Sequence, residues 1–305
     1  MPKITIIGAG AVGATSAQRI AEKELGNVVL TDIVEGLPQG KALDLMESGP
    51  LFGYDSQVTG TNDYKDIEGS DVVVITAGIA RKPGMTREDL LKINTKIITD
   101  VSNNIKRYAP GSVVITVTNP LDIMTYVTLK TTGFEPGRVF GMSGVLDSGR
   151  FATFIAMELG CSVRDINAMV LGGHGDTMVP LPRFTTVTGV PITEFMSQST
   201  IDRLVERTIN GGAEMVNLSG SAFYAPSAAV TNMVEAVIKD TKRIFPVCAY
   251  LNGEYGKKDI YLGVPVKLGR HGVEEIVELK LTKEEEKALG KSADAVKSGI
   301  ASLNI

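Results

Sequence analysis

Runs of apolar residues alternate with amphipathic helical patterns through the first half of the chain. Continuous runs rich in β-branched residues occur at KITIIG (3–8), NVVLTD (27–32), VVVITAG (72–78) and SVVITVTNP (112–120). Such runs are typical of parallel strands covered on both faces. Apolar spacing at the helical period predicts helices over 11–25, 37–48 and about 86–108. The alternation predicts βαβ units and an α/β fold with a doubly wound parallel sheet.

The pattern changes after RVFGMSG (138–144), and we place a domain boundary after residue 143. The second half begins with a predicted helix over 146–159 and short strands around 166–171 and 184–188. Further helices are predicted over 192–209, 211–219 and 226–240. Strand-rich sequence from 244 to 279 then precedes an amphipathic helix over 283–303. Residues 144–305 are therefore expected to form a mixed α+β domain.

The composition indicates a globular protein and removes several classes of partner. Of the 305 residues 43% are hydrophobic and 22% are charged, with a formal net charge of -4. Because no basic block or basic-aromatic stripe occurs, no nucleic-acid partner is expected. No apolar run reaches the roughly 20 residues that span a bilayer, so no membrane span is expected.

The N-terminus and the cysteines indicate the cellular compartment of the protein. Lys3 is followed by an apolar stretch that imitates a signal peptide, but three glycines within six residues would break its helix. Cys161 and Cys248 lie far apart in apolar surroundings, which favours core positions over a disulfide. We therefore expect a cytoplasmic protein.

A glycine-rich motif follows the first predicted strand and opens the first helix. GAGAVG places Gly8, Gly10 and Gly13 in the G-x-G-x-x-G spacing of a dinucleotide-binding Rossmann fold. Free N–H groups of the helix N-terminus would bind the pyrophosphate. Asp32 ends the second strand, where a carboxylate can accept hydrogen bonds from ribose hydroxyls and repel a 2′-phosphate. The motif thus favours NAD over NADP, and the alternative is a plain glycine turn.

Charged and polar side chains follow two later strands of the predicted sheet. GIARKPGMTREDLLKIN (78–94) carries Arg81, Lys82 and Arg87, either as a solvated loop or as a lid that brings arginines onto an anionic substrate. VTNP (117–120) ends another strand and places Asn119 at the same edge, where ligands bind in open α/β sheets.

Two motifs of the second half carry candidate acid–base chemistry. In GVLDSGRF (144–151), Asp147 and Arg150 share one helix face. They either form a local ion pair, or Asp147 orients a histidine while Arg150 binds a carboxylate. GGHGDTMVP (172–180) holds His174, which could be structural, a metal ligand or a catalytic acid–base group. The only other histidine, His271, lies in a turn and is interpreted as a surface residue. Without CxxC or clustered histidines, no metal site is expected.

Taken together, the motifs resemble a known family. GAGAVG with Asp32, RKPGMTR, VTNP, GVLDSGR and GGHGDTMVP, in this order and spacing, resemble the lactate/malate dehydrogenase superfamily, and more closely its lactate-dehydrogenase-like malate dehydrogenases. The resemblance covers essentially the whole chain, including PQGKALDL (38–45) and QVTGTNDY (57–64). It implies an NAD-binding Rossmann domain over 1–143 and a catalytic, substrate-binding domain over 144–305.

The resemblance also implies roles for individual residues. His174 would accept a proton when malate is oxidised and donate it when oxaloacetate is reduced, with Asp147 bound to its other ring nitrogen. Arg150 would hold the carboxylate beside the reacting carbon, Arg87 would stabilise the developing oxyanion, and Asn119 would orient the substrate. The expected cofactor contacts are Gly8, Ala9, Gly10, Ala11, Val12, Gly13, Asp32, Asn94, Val117, Thr118 and Asn119.

Arg81 is the residue that would choose the substrate. Lactate dehydrogenases of this superfamily carry a neutral residue there, and a second substrate carboxylate would be buried unpaired without a second cation. This charge balance favours malate and oxaloacetate, although another 2-hydroxy acid remains open. A further alternative is an NAD-binding regulatory protein that has lost catalysis, but His174, Asp147 and Arg150 are all present. The resemblance also implies a homo-oligomer, with a tetramer preferred over a dimer, and a role in the tricarboxylic acid cycle.

Overall fold

The computed structural model describes residues 1–80 and 84–303. Its first half contains six strands and four helices: β1 (Lys3–Ile7), α1 (Ala11–Glu22), β2 (Asn27–Thr31), α2 (Leu37–Phe52), β3 (Val58–Thr61), β4 (Val72–Ile75), α3 (Arg87–Tyr108), β5 (Val113–Thr116), α4 (Leu121–Thr132) and β6 (Val139–Gly141). The six strands are parallel, in the order β3-β2-β1-β4-β5-β6. This is the strand order of a doubly wound dinucleotide-binding sheet, and the predicted fold class is confirmed.

The second half carries the remaining four helices and eight strands of the described chain: α5 (Gly144–Leu159), β7 (Ile166–Asn167), β8 (Val170–Leu171), β9 (Val179–Pro180), β10 (Thr186–Val187), β11 (Val190–Pro191), α6 (Gln198–Ser219), α7 (Tyr224–Ile238), β12 (Arg243–Asn252), β13 (Lys258–Gly269), β14 (Gly272–Ile276) and α8 (Lys283–Ala301). Two small antiparallel sheets, β11-β10-β7 and β8-β9, form apart from the main one.

The main sheet does not end at the predicted domain boundary. β12 pairs antiparallel with β6 through Cys248 and Gly141, so β12, β13 and β14 extend the parallel sheet to nine strands. One large buried cluster accordingly contains side chains from both halves, among them Ile6, Val114 and Leu262. A second, smaller cluster packs α5 against α6 around Phe151 and Leu204.

One part of the helix prediction was wrong. The sequence predicted separate helices over 192–209 and 211–219, but α6 runs unbroken through Gly211 and Gly212, and a short 3-10 turn at Ile192–Glu194 precedes it. Tertiary packing overrides the low helix propensity of the two glycines here. The prediction also lacked β3, β6 and α4.

Within the described ranges, no helix has the length and apolar character needed to cross a membrane. Across the same residues, no three His, Cys, Asp or Glu side chains are grouped to hold a metal ion.

Candidate active site

The GAGAVG loop connects β1 to α1 with two glycines that tolerate no side chain. Gly8 has φ +108, and a Cβ there would lie 2.7 Å from the Ala77 nitrogen. A Cβ on Gly13 would lie 1.9 Å from the Gly8 carbonyl oxygen, so helix and strand meet closely at this point. Gly10 differs, because a Cβ on it would meet nothing within 4 Å.

The start of α1 is open towards solvent. Gly10 caps the helix without a side-chain hydrogen bond, and both Gly10 and Ala11 are exposed, with Val12 half-buried behind them. An uncapped helix N-terminus beside open space is suited to bind a phosphate group. These residues therefore fit the pyrophosphate of a dinucleotide.

Asp32 lies next to this loop, at the end of β2. Its Oδ2 accepts a hydrogen bond from the Ala9 N–H at 2.7 Å, and its Oδ1 accepts one from the Val34 N–H at 3.0 Å. The Lys41 ammonium on α2 donates to the Ala9 carbonyl at 2.7 Å. Ala9 itself is fully buried. Asp32 and Lys41 thus bind the backbone N–H and the carbonyl of Ala9. The contribution of Lys41 was not predicted from the sequence.

The loops after β4 and β5 are joined by Asn94 of α3. Its side-chain oxygen accepts from the Ile79 N–H at 2.9 Å, and its amide donates to the Asn119 carbonyl at 2.7 Å. Asn94 is fully buried, so in this structure it holds the two loops together, and a direct cofactor contact by it stays a prediction.

Val117 to Asn119 follow β5 at the same edge of the sheet. Val117 and Thr118 are nearly buried, and the Thr118 hydroxyl donates to the Ala77 carbonyl at 2.6 Å. Asn119 is exposed. The carboxyl ends of β1, β2, β4 and β5 therefore bring the loops with the predicted cofactor residues to one edge, as expected for parallel neighbours, and Asn94 of α3 joins two of these loops.

The structure brings His174, Asp147 and Arg150 into one group. The Asp147 carboxylate is 1% exposed and uses both oxygens, with Oδ2 at 2.8 Å from the His174 Nδ1 and Oδ1 at 3.2 Å from an Arg150 guanidinium nitrogen. The side chains of His174 and Arg150 stay 13% and 15% exposed. A carboxylate on Nδ1 fixes the ring tautomer and leaves Nε2 as the working nitrogen.

Opposing effects set the pKa of His174. Burial disfavours the charged ring, but the negative charge and hydrogen bond of Asp147, with a further contribution from Asp122, outweigh burial and the repulsion of Arg150. The net result is that the His174 pKa is raised from its usual value of 6.5. The protonated ring is therefore available closer to neutral pH.

Two buried residues hold the segment that carries His174, and sequence reasoning missed both. The Gly173 N–H donates to the Ser292 hydroxyl of α8 at 2.8 Å, and the His174 N–H donates to the Asp122 Oδ2 of α4 at 2.9 Å. A backbone bridge from Gly172 to Gly263 of β13 ties the same segment to the main sheet. Asp122 was detectable as the lone charged residue of the apolar stretch LDIMTYVTL (121–129).

Gly211 of α6 shapes the position of Arg150. A Cβ on Gly211 would lie 2.4 Å from the Arg150 Cδ. The Arg150 side chain therefore packs against α6 at the position where Gly211 has no side chain. The predicted Arg81 lies outside the described residues, and so does the side chain of Arg87, whose backbone begins α3. His271 is exposed, as its turn sequence predicted.

Two protein-family models match the chain. The model for the NAD-binding domain of lactate/malate dehydrogenase matches residues 2–141, and the model for the alpha/beta C-terminal domain of the same family matches residues 144–304. A malate dehydrogenase of Methanosarcina mazei is 65% identical over 307 residues, which cover 100% of both chains.

Solved structures give the same likeness. The malate dehydrogenase of Salinibacter ruber matches with a TM-score of 0.95 and 52% identity, over 98% of this chain and 97% of that one. A lactate dehydrogenase of Cryptosporidium parvum, solved with lactic acid and β-nicotinamide adenine dinucleotide, also has a TM-score of 0.95, with 44% identity over 98% of this chain and 97% of that one. Because enzymes for two substrates share this fold, the fold alone does not choose between them.

Proposed function

The chain belongs to the lactate/malate dehydrogenase family, and we propose that it is an NAD-dependent malate dehydrogenase, which interconverts (S)-malate and oxaloacetate. The observation that carries the proposal is the buried Asp147 carboxylate, which binds His174 and Arg150 at once. It joins a proton carrier to a carboxylate-binding cation, as oxidation of a 2-hydroxy acid requires.

His174 would take the proton and Arg150 would hold the substrate. In malate oxidation the hydroxyl proton passes to His174 Nε2, because Nδ1 is held by Asp147. Arg150 pairs with the carboxylate beside the reacting carbon. Bound NAD would supply the acceptor for the hydride that leaves that carbon. In the reverse direction protonated His174 returns the proton to the carbonyl oxygen of oxaloacetate.

The cofactor would lie across the carboxyl ends of β1, β4 and β5. Gly10 and Ala11 would bind the pyrophosphate at the N-terminus of α1, with Gly8, Ala9, Val12 and Gly13 shaping the loop. The Asp32 carboxylate would accept hydrogen bonds from the ribose hydroxyls and would repel a 2′-phosphate. Asn119 would orient the substrate against the nicotinamide, and Arg87 would stabilise charge on the carbonyl oxygen.

The deciding experiment is an NADH oxidation assay with oxaloacetate, run in parallel with pyruvate, 2-oxoisocaproate and NADPH. We expect oxaloacetate with NADH to give the highest kcat/KM by a wide margin. Pyruvate or 2-oxoisocaproate turning over equally well would refute the choice of substrate.

Arg81→Gln tests the charge balance behind that choice. Removing the cation that pairs with the second carboxylate should lower kcat/KM for oxaloacetate by about a hundredfold or more, and far less for pyruvate. Equal losses on both substrates would contradict a pairing role for Arg81.

Further proposals concern organisation and setting. We propose that residues 1–143 form the cofactor-binding domain, which also lends Arg81, Arg87 and Asn119 to the substrate, and that residues 144–305 form the catalytic domain; the two matches at 2–141 and 144–304 support this division. We also propose a cytoplasmic homotetramer that serves the tricarboxylic acid cycle. The thiols of Cys161 and Cys248 are free, which suits a reducing compartment.

A further inference from the structure

Asp122 is a buried carboxylate that the proposed reaction does not use. It is 6% exposed and lies in the first turn of α4, directly after the VTNP loop. Among the described residues, no lysine or arginine forms an ion pair with Asp122 like the one between Asp147 and Arg150. An ionised carboxylate without a cation is costly to bury, so its presence calls for a physical reason.

Both oxygens of Asp122 accept hydrogen bonds. Oδ2 accepts from the backbone N–H of His174 at 2.9 Å, and Oδ1 accepts from the Cys248 thiol of β12 at 3.2 Å. The N-terminus of α4 adds the positive end of its dipole. These donors favour the ionised carboxylate, because hydrogen bonds to a charged oxygen are stronger than those to a neutral carboxyl group.

We propose that Asp122 is a positioning residue for His174, which holds its peptide N–H and places a second buried negative charge beside it. The inference rests on the proposed role of His174 as proton carrier. Asp147 and Asp122 then bracket the histidine, one on the ring from α5 and the other on the backbone from α4.

The charged groups that act on His174 come from two of the helices around it. α5 supplies Asp147 and Arg150, and α4 supplies Asp122. α8 contributes only the uncharged Ser292 to the adjacent Gly173 N–H. The pKa of Asp122 is raised, because burial outweighs the His174 N–H, the Cys248 thiol and the charge on the histidine ring, which lower it. A protonated His174 and an ionised Asp122 therefore stabilise each other.

The test is the titration of His174 by NMR in the full-length chain. With two histidines, His271→Asn identifies the His174 signal without ambiguity. Asp122→Asn keeps the shape and can still accept the His174 N–H, but it removes the charge. We expect the His174 midpoint to fall by about one pH unit. A midpoint equal to that of the wild type would overturn the proposal.

Two further variants separate charge from position. Ser292→Ala removes the neutral acceptor of the neighbouring N–H, so it should disturb the loop but leave the midpoint in place. Asp294→Asn makes the same chemical change on the exposed face of α8 and should alter neither the midpoint nor turnover. If Ser292→Ala moved the midpoint as far as Asp122→Asn does, the electrostatic role of Asp122 would be refuted.

Cys248 supplies a second route if Asp122→Asn does not fold. Cys248→Ala removes a donor to the carboxylate, which favours its neutral form and should lower the His174 midpoint in the same direction. Cys248→Ser retains a donor and should keep the wild-type value. Equal midpoints in both would then overturn the proposal. Because the titration needs no turnover, its outcome is independent of whether the chain reduces oxaloacetate.

Discussion

At the residue scale, two histidines in different settings form a natural pair for comparison. His174 is 13% exposed and bound to Asp147, whereas His271 is exposed in the turn between β13 and β14. His174→Asn should lower kcat by about 10²–10⁴-fold, the usual contribution of a general acid–base group. The matched change His271→Asn should leave kcat close to that of the wild type. Steady-state assays with oxaloacetate check both, and a slow His271→Asn enzyme would contradict the assignment.

The pH dependence should follow the raised pKa of His174. Reduction of oxaloacetate needs the protonated ring, so kcat/KM should hold below the raised pKa and fall by about tenfold per pH unit above it. Oxidation of malate needs the neutral ring and should rise over the same interval. Profiles in both directions measure this, with His271→Asn as the control. A midpoint below the usual histidine value of 6.5 would contradict an upward shift of the His174 pKa.

At the element scale, the two adjacent glycines of α6 differ in the space that a side chain would find. A Cβ on Gly211 would lie 2.4 Å from the Arg150 Cδ, whereas one on Gly212 would meet nothing within 4 Å. Gly211→Ala should displace Arg150 and lower kcat/KM for oxaloacetate by about 10- to 100-fold. Gly212→Ala should instead stabilise the helix by about 0.5–1 kcal/mol.

Thermal unfolding and steady-state kinetics on the two variants distinguish these effects. Similar kinetic losses in both would mean that helix flexibility, rather than the space for Arg150, limits the enzyme.

Elements that the sequence did not predict share physical features. α4 buries ten of its twelve residues, so its apolar positions do not follow the one-sided period by which a helix is recognised in a sequence. β6 has only three residues, and β3 (VTGT) has one apolar residue among its four, so neither forms an apolar run that stands out. Asp122 was therefore missed because the helix that positions it was missed.

At the scale of the whole molecule, exposed apolar side chains favour assembly. Leu43, Leu51 and Phe52 of α2 are 61%, 85% and 69% exposed, and Met215 and Leu218 of α6 are 43% and 78% exposed. Where such side chains form a contiguous patch, they are typical of contacts with another chain, which supports the proposed homo-oligomer. Leu51→Glu combined with Phe52→Lys should therefore shift the proposed tetramer to smaller species.

Sedimentation velocity at micromolar concentration measures that shift. Val190→Glu, which changes an exposed apolar residue in the small sheet of the second half, serves as the control and should sediment like the wild type. A wild-type chain that sediments as a monomer would refute the homo-oligomer.

The sequence by itself determined the parallel sheet and the glycine loop with Asp32, and its resemblance to the family singled out His174, Asp147 and Arg150, because each depends on local spacing or on a continuous motif. The tertiary structure decided what depends on contacts between distant segments. It joined β12 to β6 in one nine-stranded sheet, set Gly211 under Arg150, and placed Asp122 and Ser292 on the backbone of the His174 segment. Local periodicity carries no information about such pairs, since they are far apart along the chain and meet only when the helices pack.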